Sequence, residues 1–509
     1  MLTKRAFGLA TASAAAVLLL GAASGQAQVN KNWLTVVMPA EPAGLEGCSA
    51  TRQLEGFVNK ETIVETLLDK NMKTGEIVPR LATSWEQVNP LTWRFKLRQG
   101  VKFHDGADFN AETAIKSMER LLKSPVSCEI RNKYFNNIKM TLSAPDAFTV
   151  QIVTENPEPI LPARMTAMTI VSPNTPFDKA TLTAIGTGAF AMEEWKSGQE
   201  IRVKRFDAYW GAKPQAEGVR YIWRAEPAVR AAMAKIGEAD IVPVIGKQDA
   251  NDPTLDHSYL TWEVSFLRID NTRAPLDDRR VRLALNYAVD REGMRGTILS
   301  KDVVNATQIV VPGVPGHNYE LDKNVRPFDP TKAKQLLAEA KADGVPVDKE
   351  IILYGGPTKY PGASEVAEAL LTSYRAVGLN MKLINLEPGQ YTEQFSTPHD
   401  PDRGPTLLQV LHDNTLEPII SVPYKYACDG TSSMVCDKGL DEQINKIAAM
   451  TGEERNKAWS GLFKHLYEDV VADVWMYYMV GYQRLSPRMN YKPDLITNNE
   501  IRVQEYTFK

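Results

Sequence analysis

Residues 79–122 read PRLATSWEQVNPLTWRFKLRQGVKFHDGADFNAETAIKSMERLL, and this stretch decides the fold. Apolar and polar residues alternate through its LTWRFKLR segment, which predicts a strand with one buried and one solvated face. Two turns follow, in RQGV and HDGA, because glycine tolerates positive φ angles. Asn110 then predicts the start of a helix whose apolar residues recur at helical spacing. The unit is therefore a strand, a turn, a second short strand and a capped helix.

The order of short motifs in this stretch resembles the signature of the family 5 extracellular solute-binding proteins. The matching pieces are LATSW, the alternating strand that ends in LRQG, VKFHDG, and the helix that ends in ER. Two later blocks carry the same resemblance: GTGAF at 186–190 with YWG at 209–211, and DDRRVRLALNYAVDR at 277–291. A long ordered set of motifs is far more specific than one short motif.

Proteins of this family are the binding components of ABC importers for oligopeptides, dipeptides, nickel complexes, opines and some oligosaccharides. The resemblance implies an α/β fold of the type II periplasmic-binding-protein class, with two lobes joined by crossover strands. It also implies a large first lobe with an extra subdomain. We expect lobe I at residues 28–268, with the subdomain at about 56–180, lobe II at 269–480, and a return to lobe I at 481–509.

The chain also shows local signals of secondary structure. Strands predicted at 351–354 and 381–384 enclose a helix predicted at 366–377, an order typical of a parallel sheet with helices on its faces. The apolar spacing at 61–68 predicts a further helix. Three aspartates predict helix starts as capping residues: Asp277, Asp290 and Asp329.

The first 27 residues have the composition of a secretory signal peptide. Two basic residues precede an apolar run from Ala14 to Ala23, and a small-x-small site ends at Ala27. The run is about half the ~20 residues that a membrane-spanning helix needs. We expect cleavage after Ala27, a soluble mature protein that begins near Gln28, and the periplasm as its location.

The composition is that of an ordinary globular protein, with 43% apolar and 24% charged residues among 509. Removing the first 27 residues takes away two basic residues and no acidic one, which moves the formal net charge from −3 to −5. Mild acidity argues against nucleic acid or an anionic membrane as a partner. We expect a monomer that binds a small molecule or peptide, and the resemblance adds the permease subunits of an ABC transporter in the inner membrane.

The four cysteines are an even number, which favours disulfide bonds in an oxidising compartment. Cys428 and Cys436 enclose seven residues rich in Asp, Gly, Thr and Ser, which suits a bridged surface loop. Cys48 would then pair with Cys128. A zinc site is the alternative, but CxxC spacing and a nearby histidine are both missing. We expect no metal site and no cofactor.

An enzyme has no specific support in the sequence. The six histidines include no pair at metal-ligand spacing, and the G-x-S-x-G signature of a serine nucleophile is absent. We expect a binding protein whose cleft has aromatic walls and a few charged groups. The solute is expected to be a peptide or peptide-like; nickel complexes, opines and oligosaccharides are the alternatives, and a periplasmic enzyme is a distant one.

The candidate ligand site lies in the loop after the apolar run 407–411. In peptide-binding proteins of the family, a carboxylate in this loop binds the peptide amine within a pattern similar to GW-x-x-D-x-x-(D/E)-P. Glu417-Pro418 match its end, but the Gly-Trp is missing. Without a gap the place of the acid holds Asn414, and with one inserted residue it holds Asp413. His412 is a further candidate, since a histidine of this region faces the cleft in nickel-complex binders.

Three further residues complete the candidate site. The first strand and loop line the cleft in the family, which makes Glu46 a candidate by position, although a solvated loop acid is the alternative. Tyr424 and Trp475 lie in aromatic-rich segments that suit the walls of a cleft.

Overall fold

In the computed structural model of the chain, the strand and the helix of the signature stretch form as predicted, at residues 92–97 and 111–123. The predicted second short strand is wrong: between these two elements, Lys102 pairs with Asp108 only in an isolated β-bridge. The inward side chains of that strand, Trp93, Phe95 and Leu97, are buried. The structure describes residues 31–50, 53–71, 74–136, 138–357, 359–396, 399–400, 402–414, 417–490 and 500–509. The predicted signal peptide and the predicted mature start at Gln28 lie outside these residues.

The elements of the described residues are as follows, in chain order. The strands are β1 (Trp33–Met38), β2 (Glu65–Thr66), β3 (Leu68–Lys70), β4 (Ile77–Pro79), β5 (Ala82–Asn89), β6 (Thr92–Leu97), β7 (Met140–Asp146), β8 (Thr149–Thr154), β9 (Thr169–Ile170), β10 (Phe190–Lys196), β11 (Glu200–Arg205), β12 (Gly218–Trp223), β13 (Ile241–Val242), β14 (Asp256–Ile269), β15 (Val304–Asn305), β16 (Ile351–Gly355), β17 (Met381–Asn385), β18 (Thr406–Asp413) and β19 (Asp473–Leu485). The helices are α1 (Gln53–Asn59), α2 (Ala111–Lys123), α3 (Leu161–Met165), α4 (Pro227–Lys235), α5 (Arg279–Tyr287), α6 (Arg291–Met294), α7 (Pro330–Ala342), α8 (Ala363–Ala376), α9 (Pro388–Phe395), α10 (Pro418–Tyr426), α11 (Lys438–Ala448) and α12 (Gly452–His465).

Capping side chains set several helix starts. Asn110 and Thr113 form a reciprocal capping box at the start of α2. Asp290 caps α6 and Asp329 caps α7, as predicted. The cap predicted at Asp277 is wrong by one residue: a turn continues through it, and its backbone N–H donates to Arg273 O. The next residue, Asp278, is the cap of α5.

One mixed sheet runs through the molecule in the order β10-β11-β12-β1-β13-β19-β14-β18-β16-β17, with β15 beside β19. β1 is parallel to β12 and β13, and β16 is parallel to β17 and β18. The two long strands β14 and β19 pair with each other antiparallel at the centre. A separate antiparallel sheet, β5-β6-β8-β7, contains the signature strand.

The hydrophobic cores divide into two groups, which define two lobes. Lobe I contains the cores built by residues 33–250 and 482–508, including one under the β5-β6-β8-β7 sheet. Lobe II contains the cores built by residues 260–480. β14 and β19 are the strands that continue from one lobe into the other. The protein therefore has the expected α/β architecture of two lobes joined by crossover strands, and the residue limits given above stay a prediction.

The helix predicted at 61–68 is wrong. α1 ends at Asn59, Glu61 adopts a φ angle of 59°, and the short strands β2 and β3 follow. The apolar residues of this segment are all fully buried. An amphipathic helix would bury only one stripe, and short apolar runs of this kind do not distinguish a buried strand from a helix.

The four cysteines form two disulfide bonds, Cys48–Cys128 and Cys428–Cys436, which is the predicted pairing. Because all four thiols are paired, they leave none for the zinc site considered above. The first bond ties the start of lobe I to the segment just before the helical turn Arg131–Phe135. In the described part of the chain, no helix combines the length and the apolar character needed to cross a bilayer.

Candidate ligand cleft

The carboxyl end of β18 carries two of the candidate residues. The strand continues two residues past the predicted run, so His412 and Asp413 belong to the strand and not to the loop. β14 pairs with β18 along this end, and the register places Asp413 opposite Glu263. In open α/β sheets, the carboxyl ends of strands are where ligand-contacting groups usually lie.

Asp413 faces Lys133 of lobe I across the space between the lobes. Asp413 Oδ2 lies 3.6 Å from Lys133 Nζ, and the Asp413 side chain is 58% exposed. Protein nevertheless surrounds this carboxylate, so burial raises its pKa against the attraction of Lys133. Burial lowers the pKa of Lys133, but the charges of Tyr134 and Asp413 outweigh it and the net shift is upward. A charged group that is accessible yet screened from bulk water fits the wall of a cleft.

His412 is neutral at neutral pH. Burial, and then the positive charges of Lys425 and Arg268, hold its pKa well below the ordinary value. Its Nε2 lies 3.0 Å from the hydroxyl of Ser421 on α10. A neutral imidazole offers one donor and one acceptor nitrogen, which makes it a possible ligand for a metal complex.

A buried charged cluster lies behind the end of β18. Lys425 and Arg268 supply two bases, while Asp473 supplies one acid. Arg268 donates to the backbone oxygens of Lys425 and Ser432, and Tyr426 donates to Asp473. Burial, followed by the charge of Arg268, places the pKa of Lys425 well below its ordinary value. Burial thus weakens the positive charge of Lys425, and all three side chains are at most 2% exposed, so the cluster lies inside lobe II.

Two of the predicted ligand residues are used inside lobe II. The Asn414 side chain is buried and donates to Ile309 O at 3.0 Å, and its backbone N–H donates to Trp262 O at 2.6 Å. Trp475 is 2% exposed and packs on Phe266 with 4.7 Å between ring centroids. Their contacts are those of core residues and give no support to a ligand role.

Glu46 also has a structural position. One carboxylate oxygen accepts from Arg120 Nη1 at 2.6 Å, and the other accepts from the backbone N–H of Cys48 at 2.6 Å. The ion pair with Arg120 is buried within lobe I. Both oxygens of the Glu46 carboxylate are thus engaged inside lobe I. These contacts support neither a ligand role in the cleft nor the alternative of a solvated loop acid.

Tyr424 lies on α10, close to the β18 end, and its side chain is partly buried. Burial raises its pKa, against a hydrogen bond with Ser432. The Lys425 ammonium lies 4.9 Å from the centre of its ring. Of the residues predicted from the sequence, His412 and Asp413 lie at the end of β18, and His412 contacts Ser421 of α10, the helix that carries Tyr424.

Two lysines of lobe I were missed from the sequence. Lys133 meets Asp413, as described above, and the Lys70 ammonium lies 4.1 Å from the centre of the Trp262 ring in lobe II. Burial lowers the pKa of Lys70 to about 7. Nothing local in the sequence marks either lysine, because the partner in each case comes from the other lobe.

No group of three or more His, Cys, Asp or Glu side chains is placed to hold a metal ion in the described ranges. The site is instead a set of separate charges and aromatic rings on facing walls. Such an arrangement can hold a solute by paired charge and by stacking.

Comparisons with known proteins match this geometry to one family. The family described as "Bacterial extracellular solute-binding proteins, family 5 Middle" matches residues 76–402. The Dipeptide-binding protein of Escherichia coli (strain K12) is 26% identical over 413 residues, which cover 74% of this chain and 76% of that protein. The Di/tripeptide-binding protein 1 of Pseudomonas aeruginosa (strain UCBPP-PA14) is 25% identical over 500 residues, which cover 89% and 90% of the two chains.

A solved structure supports the fold. HbpA2 from Haemophilus parasuis superposes with a TM-score of 0.81 at 19% sequence identity. The superposition covers 94% of this chain and 100% of that chain. The two-lobe α/β architecture thus extends over nearly the whole length of both proteins.

Proposed function

The chain belongs to family 5 of the bacterial extracellular solute-binding proteins, and from this premise we propose that it captures a peptide or peptide-like solute between its two lobes. It delivers the solute to the permease subunits of an ABC importer in the inner membrane. It works in the periplasm as a monomer, without a nucleic-acid partner. The family consists of binding proteins, and the mechanism proposed here is capture without chemical change.

One observation carries the proposal: Asp413 ends β18 and faces Lys133 of the other lobe at 3.6 Å. An ammonium group of a solute can take the place of Lys133 beside this carboxylate. Closure of the lobes then excludes water, which strengthens this polar contact.

The proposal also assigns the lobes. Lobe I comprises residues 28–268 and 481–509, with the subdomain at about 56–180, and lobe II comprises residues 269–480. The support for this assignment is the separation of the hydrophobic cores, which β14 and β19 connect. The cores differ from the proposed limits at residues 260–268 of β14, which pack in the cores of lobe II. In such a fold the two strands act as the hinge about which the lobes close.

The test is calorimetric titration of wild type and Asp413→Asn with Ala-Ala, octopine and a nickel–histidine complex. Loss of a carboxylate that pairs with a buried charge costs about 2–5 kcal/mol, so we expect affinity for the binding probe to fall at least tenfold. Asn is preferred to Ala because it keeps the volume and removes the charge. Asp348→Asn, at an exposed acid of lobe II, is the matched control.

Unchanged affinity in Asp413→Asn would contradict the role of this residue. If Asn414→Ala or His412→Ala weakened binding instead, the carboxylate would be a solvated side chain at the end of the strand. The alternative solute, a nickel complex, has its support in the neutral imidazole of His412. Binding of the nickel–histidine complex that is lost in His412→Ala, without binding of Ala-Ala, would favour that alternative.

A further inference from the structure

A groove lies between the lobes, next to the end of β18. Lobe I contributes Trp85, Trp93 and Ile77 to its wall, and lobe II contributes the loop 313–317 and Glu417. The first turn of α12 completes the lobe II wall. The volume of the groove is about 740 Å³, which is within the range of sites for small molecules.

The lobe I wall is aromatic. In the β5–β6 pair, Trp85 lies opposite Phe95, and Gln87 lies opposite Trp93. Residues two apart in a strand share a face, so both tryptophans stand on the same side of this sheet. The indole N–H of Trp93 donates to Glu158 O at 3.1 Å. Both tryptophans line the groove, so this wall offers apolar surface to planar or apolar groups.

The lobe II wall has polar atoms without partners. Arg455 is 3% exposed; its Nη1 donates to backbone oxygens at the end of α11, but its Nη2 has no hydrogen-bond partner among the described residues. Glu417 is 8% exposed, and its Oε2 likewise has no hydrogen-bond partner there, since the nearest Arg455 atom, Nε, is 3.7 Å away. Buried polar groups without partners are rare in folded proteins.

These two side chains define the chemistry of a fitting group. Arg455 offers a donor and Glu417 an acceptor, side by side, and their charges cancel. A lone anion would be repelled by the glutamate and a lone cation by the arginine. A neutral group that carries a carbonyl oxygen next to an N–H can satisfy both side chains, and an amide is such a group.

We propose that this groove binds an amide-bearing segment of the solute, with Arg455 donating to the amide oxygen, Glu417 accepting from its N–H, and Trp85 and Trp93 packing on the apolar part. The inference rests on the proposed function, because the amide belongs to the part of a peptide-like solute that extends beyond Asp413. Glu417 follows the end of β18 by four residues, so the two sites are neighbours along the chain. Longer solutes therefore bind more tightly than dipeptides.

The test compares Ala-Ala with Ala-Ala-Ala, which has the same charged ends and one more amide, by calorimetry on the mature protein. In wild type we expect the tripeptide to bind about tenfold more tightly, the effect of one or two added hydrogen bonds. Trp85→Leu and Glu417→Leu reduce this ratio to about one. Glu417 makes no side-chain capping bond to α10, so its replacement leaves the start of that helix intact. Trp223→Leu, at a partly buried tryptophan outside the groove, keeps the ratio of wild type.

The two variants change different lobes, so a folding defect in one leaves the other informative. Equal affinity of the two peptides in wild type, or a ratio that neither variant changes, would overturn the inference. If the variants kept the affinity ratio of wild type but lost solute uptake in cells, the inference would be overturned, and the groove would instead be a contact surface for the permease.

A separate probe applies if neither peptide binds and the proposed function fails. N-acetyl-alanyl-alaninamide has no charged end and so makes no use of Asp413. Saturable quenching of tryptophan fluorescence at millimolar probe, lost in both Trp85→Leu and Glu417→Leu, would retain the groove as an amide site. No saturable quenching would overturn it as well.

Discussion

At the scale of single residues, Glu500 ties the end of the chain to lobe I. One carboxylate oxygen accepts from Lys60 Nζ and the other from Arg502 Nε, each at 2.6 Å. Arg502 also forms two hydrogen bonds with Asp69. Burial alone would raise the pKa of Glu500, but the charges of Arg502 and Lys60 outweigh it and lower the pKa to about 2.

The lowered pKa of Glu500 predicts how stability depends on pH. The folded carboxyl stays ionised below the ordinary pKa of 4.5, so its contribution is fully present above that pH and is lost as pH falls towards 2. A shift of this size is worth about 3 kcal/mol. We expect Glu500→Gln to lower the free energy of unfolding by about that amount at pH 7, and by progressively less below pH 4.5, as measured by urea denaturation.

The control is Glu320→Gln, which removes one acid from an exposed ion pair with Lys323. Exposed pairs contribute about 0–1 kcal/mol, so this variant should unfold close to wild type at each pH. A deficit of Glu500→Gln that stayed constant from pH 7 to pH 3 would contradict the assigned pKa direction.

Glu46 allows a second prediction at this scale. Removing one partner of a buried ion pair leaves the other charge uncompensated, which costs about 3–5 kcal/mol. We expect Glu46→Ala to lower the urea midpoint strongly because Arg120 loses its partner. Calorimetry should show unchanged affinity for any solute that the wild type binds. A changed affinity with an unchanged urea midpoint would contradict this prediction and would indicate that Glu46 contacts the solute.

The site residues could be predicted only in part, for a physical reason. The family resemblance and the apolar strand before them made Asp413 and His412 candidates, since strand ends carry ligand groups in α/β sheets. Glu46 and Trp475 were candidates too, but the structure shows them in buried contacts with Arg120 and Phe266, which position along the chain does not reveal. Lys133 escaped because its contact with the strand end forms only when the two lobes meet.

At the scale of elements, the two disulfide bonds close loops of very different length. The sequence separation is 80 residues for Cys48–Cys128 and 8 residues for Cys428–Cys436. In the chain-entropy account, the longer loop gives about 4.5 kcal/mol and the shorter about 2.5 kcal/mol. We expect the double variant Cys48→Ala/Cys128→Ala to lose more stability than Cys428→Ala/Cys436→Ala.

Urea denaturation of both double variants at one pH is the measurement, and each double variant is the matched control of the other. Thiol titration of the unfolded proteins confirms that the remaining disulfide is intact. The reverse order of stability would mean that residual structure or strain, and not loop length, decides the contribution of these bonds.

Elements with a clear period could be predicted from the sequence, and elements without one could not. The strand β6 and the helices α2 and α7 show both periodicity and a capping or turn residue, and the structure has them where expected. The helix prediction for residues 61–68 failed because every apolar side chain there is buried. The apolar pattern therefore does not distinguish a buried face from an exposed one. Local signals thus identify half-exposed elements better than fully buried ones.

At the scale of the whole molecule, capture between two lobes predicts a stabilisation by the solute. A solute that binds only the native protein adds RT ln(1 + [L]/Kd), or about 2.7 kcal/mol at a hundredfold excess over Kd. We expect a rise in the thermal midpoint with the binding probe among Ala-Ala, octopine and nickel–histidine. The probe should be recovered unchanged by mass spectrometry.

Asp413→Asn serves as the control, because its midpoint should respond less at the same probe concentration. Conversion of a probe to product that stops when one cleft residue is changed would instead favour an enzyme.

The position of β19 in the main sheet has a consequence for the order in which the lobes can fold. β13 is held by β1 on one side and by β19 on the other, yet about 240 residues separate β13 from β19 along the chain. At about 5–20 residues per second, that interval lasts roughly 12–50 s of synthesis. During this interval lobe II can pair most of its own strands, whereas β13 of the lobe I sheet still lacks its partner β19. The sheet of the lobe that is made first is therefore completed last.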